Sequence, residues 1–188
     1  MSVESLRNQF LIAMPNLADS PFEKSVSLMC DHNDEGALGL VINRPTDLRL
    51  GAMLEHLDID CRGLDARDAE RSIYWGGPVQ SDRGFVLHTP PGDWDSCIRV
   101  SDTLGVATSR DILSAIGAGQ GPRQYLITLG YAGWGAGQLE QEIMDNSWLT
   151  VAADNQVIFD LGDEARWSAA TQLLGIDPNT LIDGAGHA

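Results

Sequence analysis

The apolar run QFLIAM, residues 9–14, ends at Pro15 and a polar turn, the pattern of a strand entering a loop. Residues 25–30 alternate, with Val26, Leu28 and Cys30 on one face, and 37–42 form a second β-type run beyond the polar loop 31–36; together they predict a hairpin. Leu50, Met53, Leu54 and Leu57 are spaced as the stripe of an amphipathic helix that starts near Pro45, Thr46 and Asp47. Residues 58–71 carry both signs of charge with little periodicity and read as an exposed, variable connection. Residues 72–75 and 84–88 flank Gly76-Gly77-Pro78 and Ser81-Asp82-Arg83, which predicts paired strands around turns, and 96–100 predicts a further strand. Thr108 and Asp111 have capping-box spacing ahead of a helix whose apolar face is Ile112, Leu113 and Ile116, ended by Gly117. Residues 124–129 predict a strand that runs into a glycine loop, 130–137, and Leu139 and Ile143 then mark a helix ending near Asn146. Residues 148–151 and 156–159 read as a closing hairpin around Asp154-Asn155. Asp163 caps a last helix with Trp167, Ala170 and Leu174 inward and Gly175 past its end, before a turn at Pro178 and a tail over 183–188. Strand pairs interspersed with helices, without regular βαβ alternation, predict an α+β fold with a mixed sheet, in one domain over 1–188.

Composition changes this picture mainly through charge. Twelve basic residues face twenty-seven acidic ones, a net charge of −15 and a pI near 4.3. Nucleic-acid binding draws on Lys and Arg neutralising phosphates, so direct contact with DNA or RNA is not expected. Lys24 is the sole lysine, and no glycine stands in Pro21-Phe22-Glu23 before Lys24-Ser25, which removes a Walker A loop. Residues 1–8 hold no basic segment followed by an apolar one, and no stretch approaches the roughly 20 apolar residues of a membrane span, so a cytoplasmic protein is expected. Cys30, Cys61 and Cys97 are widely spaced and read as reduced thiols, with no C-x-x-C pair for zinc.

Three places could carry chemistry. The loop 130–137, with Gly133, Trp134 and Gly135, offers backbone amides ahead of a helix, but G-x-G-x-G is not a dinucleotide fingerprint, and Glu140 and Glu142 already suit the helix dipole. A tight turn with Trp134 packed on the sheet is the plainer reading. Cys30 and His32 have the residue types of a nucleophile and base or of metal ligands, yet alternation places Cys30 in the core, and the remaining histidines, His56, His88 and His187, are scattered; no metal or cofactor is expected. Asn43-Arg44 and Arg83 could contact an anion, against the plainer reading of ion pairs inside an acidic chain. The sequence holds no G-x-S-x-G, no H-E-x-x-H and no H-x-E with P-C-x-x-C.

The segments FLIAMP (10–15), SVSLMCDHNDEGALGLVINRP (25–45), GGPVQSDRGFVLH (76–88), TSRDI (108–112), LGYAGWGAGQLEQE (129–142) and the terminal GHA, in this order, resemble the AlgH/YqgE family over nearly the whole chain. The resemblance implies a coiled, bifurcated mixed sheet flanked by helices. Members are commonly labelled either as transcriptional regulators or as uncharacterised proteins, and the resemblance brings no catalytic residues with it. Two readings follow. One is a non-enzymatic binding or regulatory protein that acts through a protein partner or a small-molecule ligand, away from any membrane. The other is a hydrolase or transferase with a cleft formed by His32, Asn43, Arg83, His88 and the Trp134 loop. A third possibility is that the motifs serve only a glycine-rich topology.

Overall fold

The computed structural model describes residues 5–18 and 20–175. Its elements in chain order are β1 (Gln9–Ala13), β2 (Val26–Asn33), β3 (Gly36–Val41), β4 (Pro45–Arg49), α1 (Leu50–His56), α2 (Ala66–Ala69), β5 (Ser72–Trp75), β6 (Val79–Thr89), β7 (Cys97–Arg99), β8 (Gly105–Ala107), α3 (Arg110–Gly117), β9 (Gln124–Gly135), α4 (Gln138–Met144), β10 (Trp148–Ala152), α5 (Asn155–Phe159) and α6 (Asp163–Leu173). The strands form one mixed sheet in the order β10-β1-β2-β3-β9-β6-β8-β7, with β4 on β5 and β5 on β9. This is the α+β class expected. Among the described residues no helix is long and apolar enough to cross a membrane.

The organising strand is β9. Its first half pairs antiparallel with β6 on one edge and parallel with β5 on the other, so that Thr128 faces both Phe85 and Tyr74. Its second half pairs with β3, Ala132 opposite Gly39 and Trp134 opposite Ala37. The sheet therefore forks at Gly130, whose φ of +79° suits glycine. Because β5 and β6 lie on opposite edges of β9, the chain between them must cross over it. Gly76 and Gly77 make that crossing directly on the backbone of Gly130 and Tyr131; a β-carbon on Gly76 would come within 2.3 Å of the Gly130 oxygen, and one on Gly77 within 2.1 Å of the Tyr131 carbonyl carbon.

Three clusters of buried side chains pack on the sheet. One is centred on Phe10, Leu28, Leu40, Leu87 and Val106 and is closed by α5 and α6; a second lies under α1 and α3, around Leu54, Ile73, Ile112 and Ile127. The third, Leu11, Met29, Trp134, Leu139 and Trp148, lies under α4.

Several expectations are corrected. Pro45–Arg49 is a strand on β5, and α1 starts only at Leu50; Pro has no amide to donate and is tolerated at the first residue of an edge strand. The stripe still buries Leu50, Met53 and Leu54, while Leu57 caps the helix end and is exposed. The 58–71 connection contains α2, capped by the Asp65 side chain on the amides of Arg67 and Asp68, and Ile59 is buried. β5 and β6 flank β9 and do not pair with each other. Residues 130–135 continue β9 and are not a loop. The second half of the expected closing hairpin is α5, because Asp154 caps it through the Gln156 amide. Ser109, one residue later than the expected box, is the residue that precedes α3, and Gly162, one residue before Asp163, precedes α6. The turn expected at Pro178 and the tail lie outside the described residues.

Candidate functional site

β2 carries a bulge between Met29 and Asp31, so Cys30 is the unpaired extra residue of the β2–β3 ladder. One extra residue reverses the alternation of everything beyond it. Without it, His32 would share the core face of Leu28 and Cys30; with it, His32 opposes Ala37 and turns to the side covered by α4. There its Nδ1 accepts the Leu6 amide at 2.9 Å, which leaves Nε2 to donate to Glu140 Oε1 on α4. Both ring nitrogens are spent, and the side chain is 1% exposed. His32 ties the chain before β1 to α4. Cys30 is fully buried as expected, and burial, with Asp31 beside it, pushes its thiol far above the ordinary range.

The other residues of the GWGAGQLEQE segment also have assigned work. The Gln138 side-chain oxygen accepts the Gly135 amide at 2.9 Å, and its nitrogen donates to Glu142 Oε2 at 2.9 Å. Glu142 Oε1 accepts both indole N–H groups, from Trp134 at 3.0 Å and Trp148 at 2.9 Å. The glutamates expected to answer the helix dipole thus reach back into the sheet. Asn43 is a clasp between strands: its Oδ1 accepts the Val26 amide and its nitrogen donates to the Lys24 carbonyl, both at 2.9 Å. Arg44 donates to the Glu23 carbonyl.

His88 lies elsewhere, fully buried in β6, with Nδ1–H donating to the Val86 carbonyl at 2.9 Å and the ring edge-on to Trp94. Its Nε2 rests against Gly105, where a β-carbon would approach to 3.0 Å. Burial pulls the imidazole below its ordinary 6.5, the Val86 carbonyl acting weakly the other way. The unfolded chain then takes up a proton that the folded chain refuses, so this stabilisation is present above about pH 6.5 and is lost as pH falls below it. A urea midpoint that drops more steeply between pH 7.5 and 5.5 in the wild type than in His88→Phe is the expected result; parallel declines would oppose it.

Arg83 is where the candidates acquire a cleft. Its guanidinium donates to Gln80 at 3.2 Å and to the Thr108 hydroxyl at 3.3 Å and lies 5.7 Å from the centre of the Phe85 ring. Among the described residues no carboxylate lies within ion-pairing distance of it, so the expected internal ion pair is absent. The recess beside it, about 270 Å³, has a floor of Leu38, Phe85, Ile98, Val106 and Tyr131 and a rim of Gln80, Arg83, Ser96, the free thiol of Cys97 and Thr108. Phe85 and Tyr131 meet edge to face at 5.6 Å. A second, shallower recess shares Leu38 and Tyr131 with the first and continues along Val79, Gly133 and Trp134 to Asp31 and Glu35. The two make one groove along the fork of the sheet. Gly133 keeps it open: a β-carbon there would meet the Tyr131 ring at 3.3 Å.

Of the residues singled out in sequence, the structure brings Arg83, Gly133 and Trp134 to this groove, with Gly135 beyond it. His32, Asn43, Arg44 and His88 are bound into the framework away from it. Sequence reasoning missed Leu38, Phe85, Thr108 and Tyr131, whose apolar or hydroxyl side chains look like ordinary strand residues; Tyr131 at least sits in the glycine-rich segment. Among the described residues no cluster of three or more His, Cys, Asp or Glu side chains could hold a metal. A separate cavity of about 150 Å³ is lined by Arg71 and Arg166, but Arg71 pairs with Asp68 at 3.5 Å and Arg166 donates to the Val157 and Ile42 carbonyls.

Comparison with known proteins agrees with the fold. The AlgH-like family model matches residues 10–179, and the chain belongs to that family. It is 55% identical to a UPF0301 protein of Thioalkalivibrio sulfidiphilus over 181 residues, 96% of each chain, and 54% identical to one of Bordetella petrii, covering 96% of this chain and 89% of the relative. The solution structure of the AlgH protein from Pseudomonas aeruginosa is 49% identical and superposes with a TM-score of 0.81 over 100% of this chain and 98% of that one. A crystal structure of a Corynebacterium diphtheriae protein shares the fold at 19% identity, with a TM-score of 0.70 over 92% of this chain and 88% of that one.

Proposed function

We propose that the protein is a cytoplasmic binding and regulatory module that works by taking a small ligand, or a segment of a protein partner, into the groove at the fork of its sheet. The observation that carries this reading is Arg83. In a chain of net charge −15, a guanidinium held by neutral side chains at the mouth of an apolar recess keeps its charge for something outside the fold. The same net charge opposes direct contact with DNA, so regulation in this reading passes through the bound ligand or partner. A hydrolase or transferase reading built on His32 or His88 is disfavoured, because His32 has both nitrogens engaged and His88 faces Gly105 in the interior.

Native mass spectrometry after exposure to cell lysate tests this. The wild type should retain a reproducible added mass, and Arg83→Ala and Gly133→Leu should each reduce its occupancy about tenfold or more, the loss of one charge-assisted contact or of the recess itself. An adduct indifferent to both changes, or a shift of duplex DNA at physiological salt, would refute the reading.

A further inference from the structure

We propose that the groove selects a monoanionic carboxylate borne on a hydrophobic group, with the carboxylate on Arg83 and the hydrophobic group over Phe85, Leu38 and Tyr131. The inference rests on the groove being a binding site and names what it binds. A planar guanidinium presents two parallel N–H groups that match a carboxylate, and here Gln80 and Thr108 hold it at the rim of the recess. The Ser96 hydroxyl, 2.9 Å from that of Thr108, adds a further hydrogen-bonding group beside it. Among the described residues Arg83 is the sole cation lining the groove, and Glu35 stands at its far end beside Asp31, which pairs with Arg7 at 2.7 Å. One cation matches a single negative charge better than a phosphate dianion, whose second charge would go unanswered in an acidic chain. The floor is apolar and includes two aromatic rings set edge to face, a surface suited to an aryl or branched alkyl group.

Such a group occurs as a free small acid or as the last residue of a peptide, and the continuation of the groove past Gly133 has room for the residues before that terminus. Titration followed through the backbone amide resonances of Tyr131 and Gly133 separates these. The probes are 3-phenylpropionate, 3-phenylpropanamide, and the peptide acetyl-Ala-Ala-Phe with a free or an amidated C-terminus. Each acid should bind at least about tenfold more tightly than its amide, and Arg83→Gln should bring the acid down to the amide while leaving the amide nearly unchanged. Gly133→Leu should abolish all four. If the free-terminus peptide exceeds 3-phenylpropionate about tenfold, the natural ligand is a chain terminus; if it binds no better, a free acid. Acids and amides that bind alike in the groove would overturn the carboxylate assignment and leave the groove as a site. A lysate adduct unaffected by Gly133→Leu would remove the groove reading itself.

Discussion

Gly77→Ala is expected to cost a large share of the stability of this fold, whereas Gly84→Ala, seven residues later, should cost almost nothing. At Gly77 the added methyl would lie 2.1 Å from the Tyr131 carbonyl carbon and 2.3 Å from the Ala132 nitrogen, with φ at +154°. Both neighbours are backbone within β9, which has β3 on one edge and β6 on the other and so cannot move aside without breaking the ladders on both. Overpacking costs about 1–3 kcal/mol where side chains can yield and more where they cannot, and a left-sided φ adds roughly 1–2 kcal/mol. Against a total of about 5–15 kcal/mol for a domain of this size, a loss of roughly 3–5 kcal/mol takes a large share of the stability, and all of it at the low end of that range. At Gly84 nothing lies within 4 Å of the added carbon. Urea midpoints of the two variants measure the difference. If they match, residues 76–77 are not the tight crossing described here.

The crossing shows why part of the fold was legible in sequence and part was not. A hairpin such as β2–β3, the stripe of α1 and the face of α3 are local, and their period of 2 or 3.6 is written in neighbouring residues. Gly76-Gly77 and Gly130 are glycines for a non-local reason: two segments more than fifty residues apart lie backbone on backbone. Locally the first pair reads as a turn and the second as the start of a loop, as did the whole of 130–137. Within β9 each glycine answers a different need, Gly130 the fork and Gly133 the open groove, and no spacing rule separates those from a flexible loop.

The candidate site was legible to the same degree. Arg83 stands out by charge in an acidic chain, and its lack of a carboxylate partner could be known only from the assembled sheet. The bulge at Cys30 leaves no mark in composition, yet it decides that His32 faces α4 and Glu140 instead of the core. Thus the residues that looked most chemical, Cys30, His32 and His88, are framework, and the groove is built largely from residues with no chemical signature. The motif-rich segments 25–45 and 129–142 hold the two halves of the fork together, and the groove is the space that this junction leaves between them.

Glu142→Ala is the second change with a large expected effect, because one carboxylate ties α4 to two strands. The indoles of Trp134 and Trp148, 7% and 2% exposed, meet edge to face at 6.0 Å and both donate to Glu142 Oε1, while Gln138 holds Oε2. Alanine would orphan two buried N–H donors at about 1–3 kcal/mol each and free Gln138, so a loss of roughly 3–5 kcal/mol is expected. Glu142→Gln keeps one acceptor oxygen for the indoles but turns an N–H₂ group toward the Gln138 amide, and should fall between the wild type and alanine. The same ordering should appear in tryptophan fluorescence, with the emission of the alanine variant shifted toward that of exposed indole even where the chain remains folded, because α4 can lift from the Trp134–Trp148 pair once the clasp is gone. Stability within about 0.5 kcal/mol of wild type for Glu142→Ala would mean that Leu139, buried on the same helix, holds α4 down by apolar contact alone.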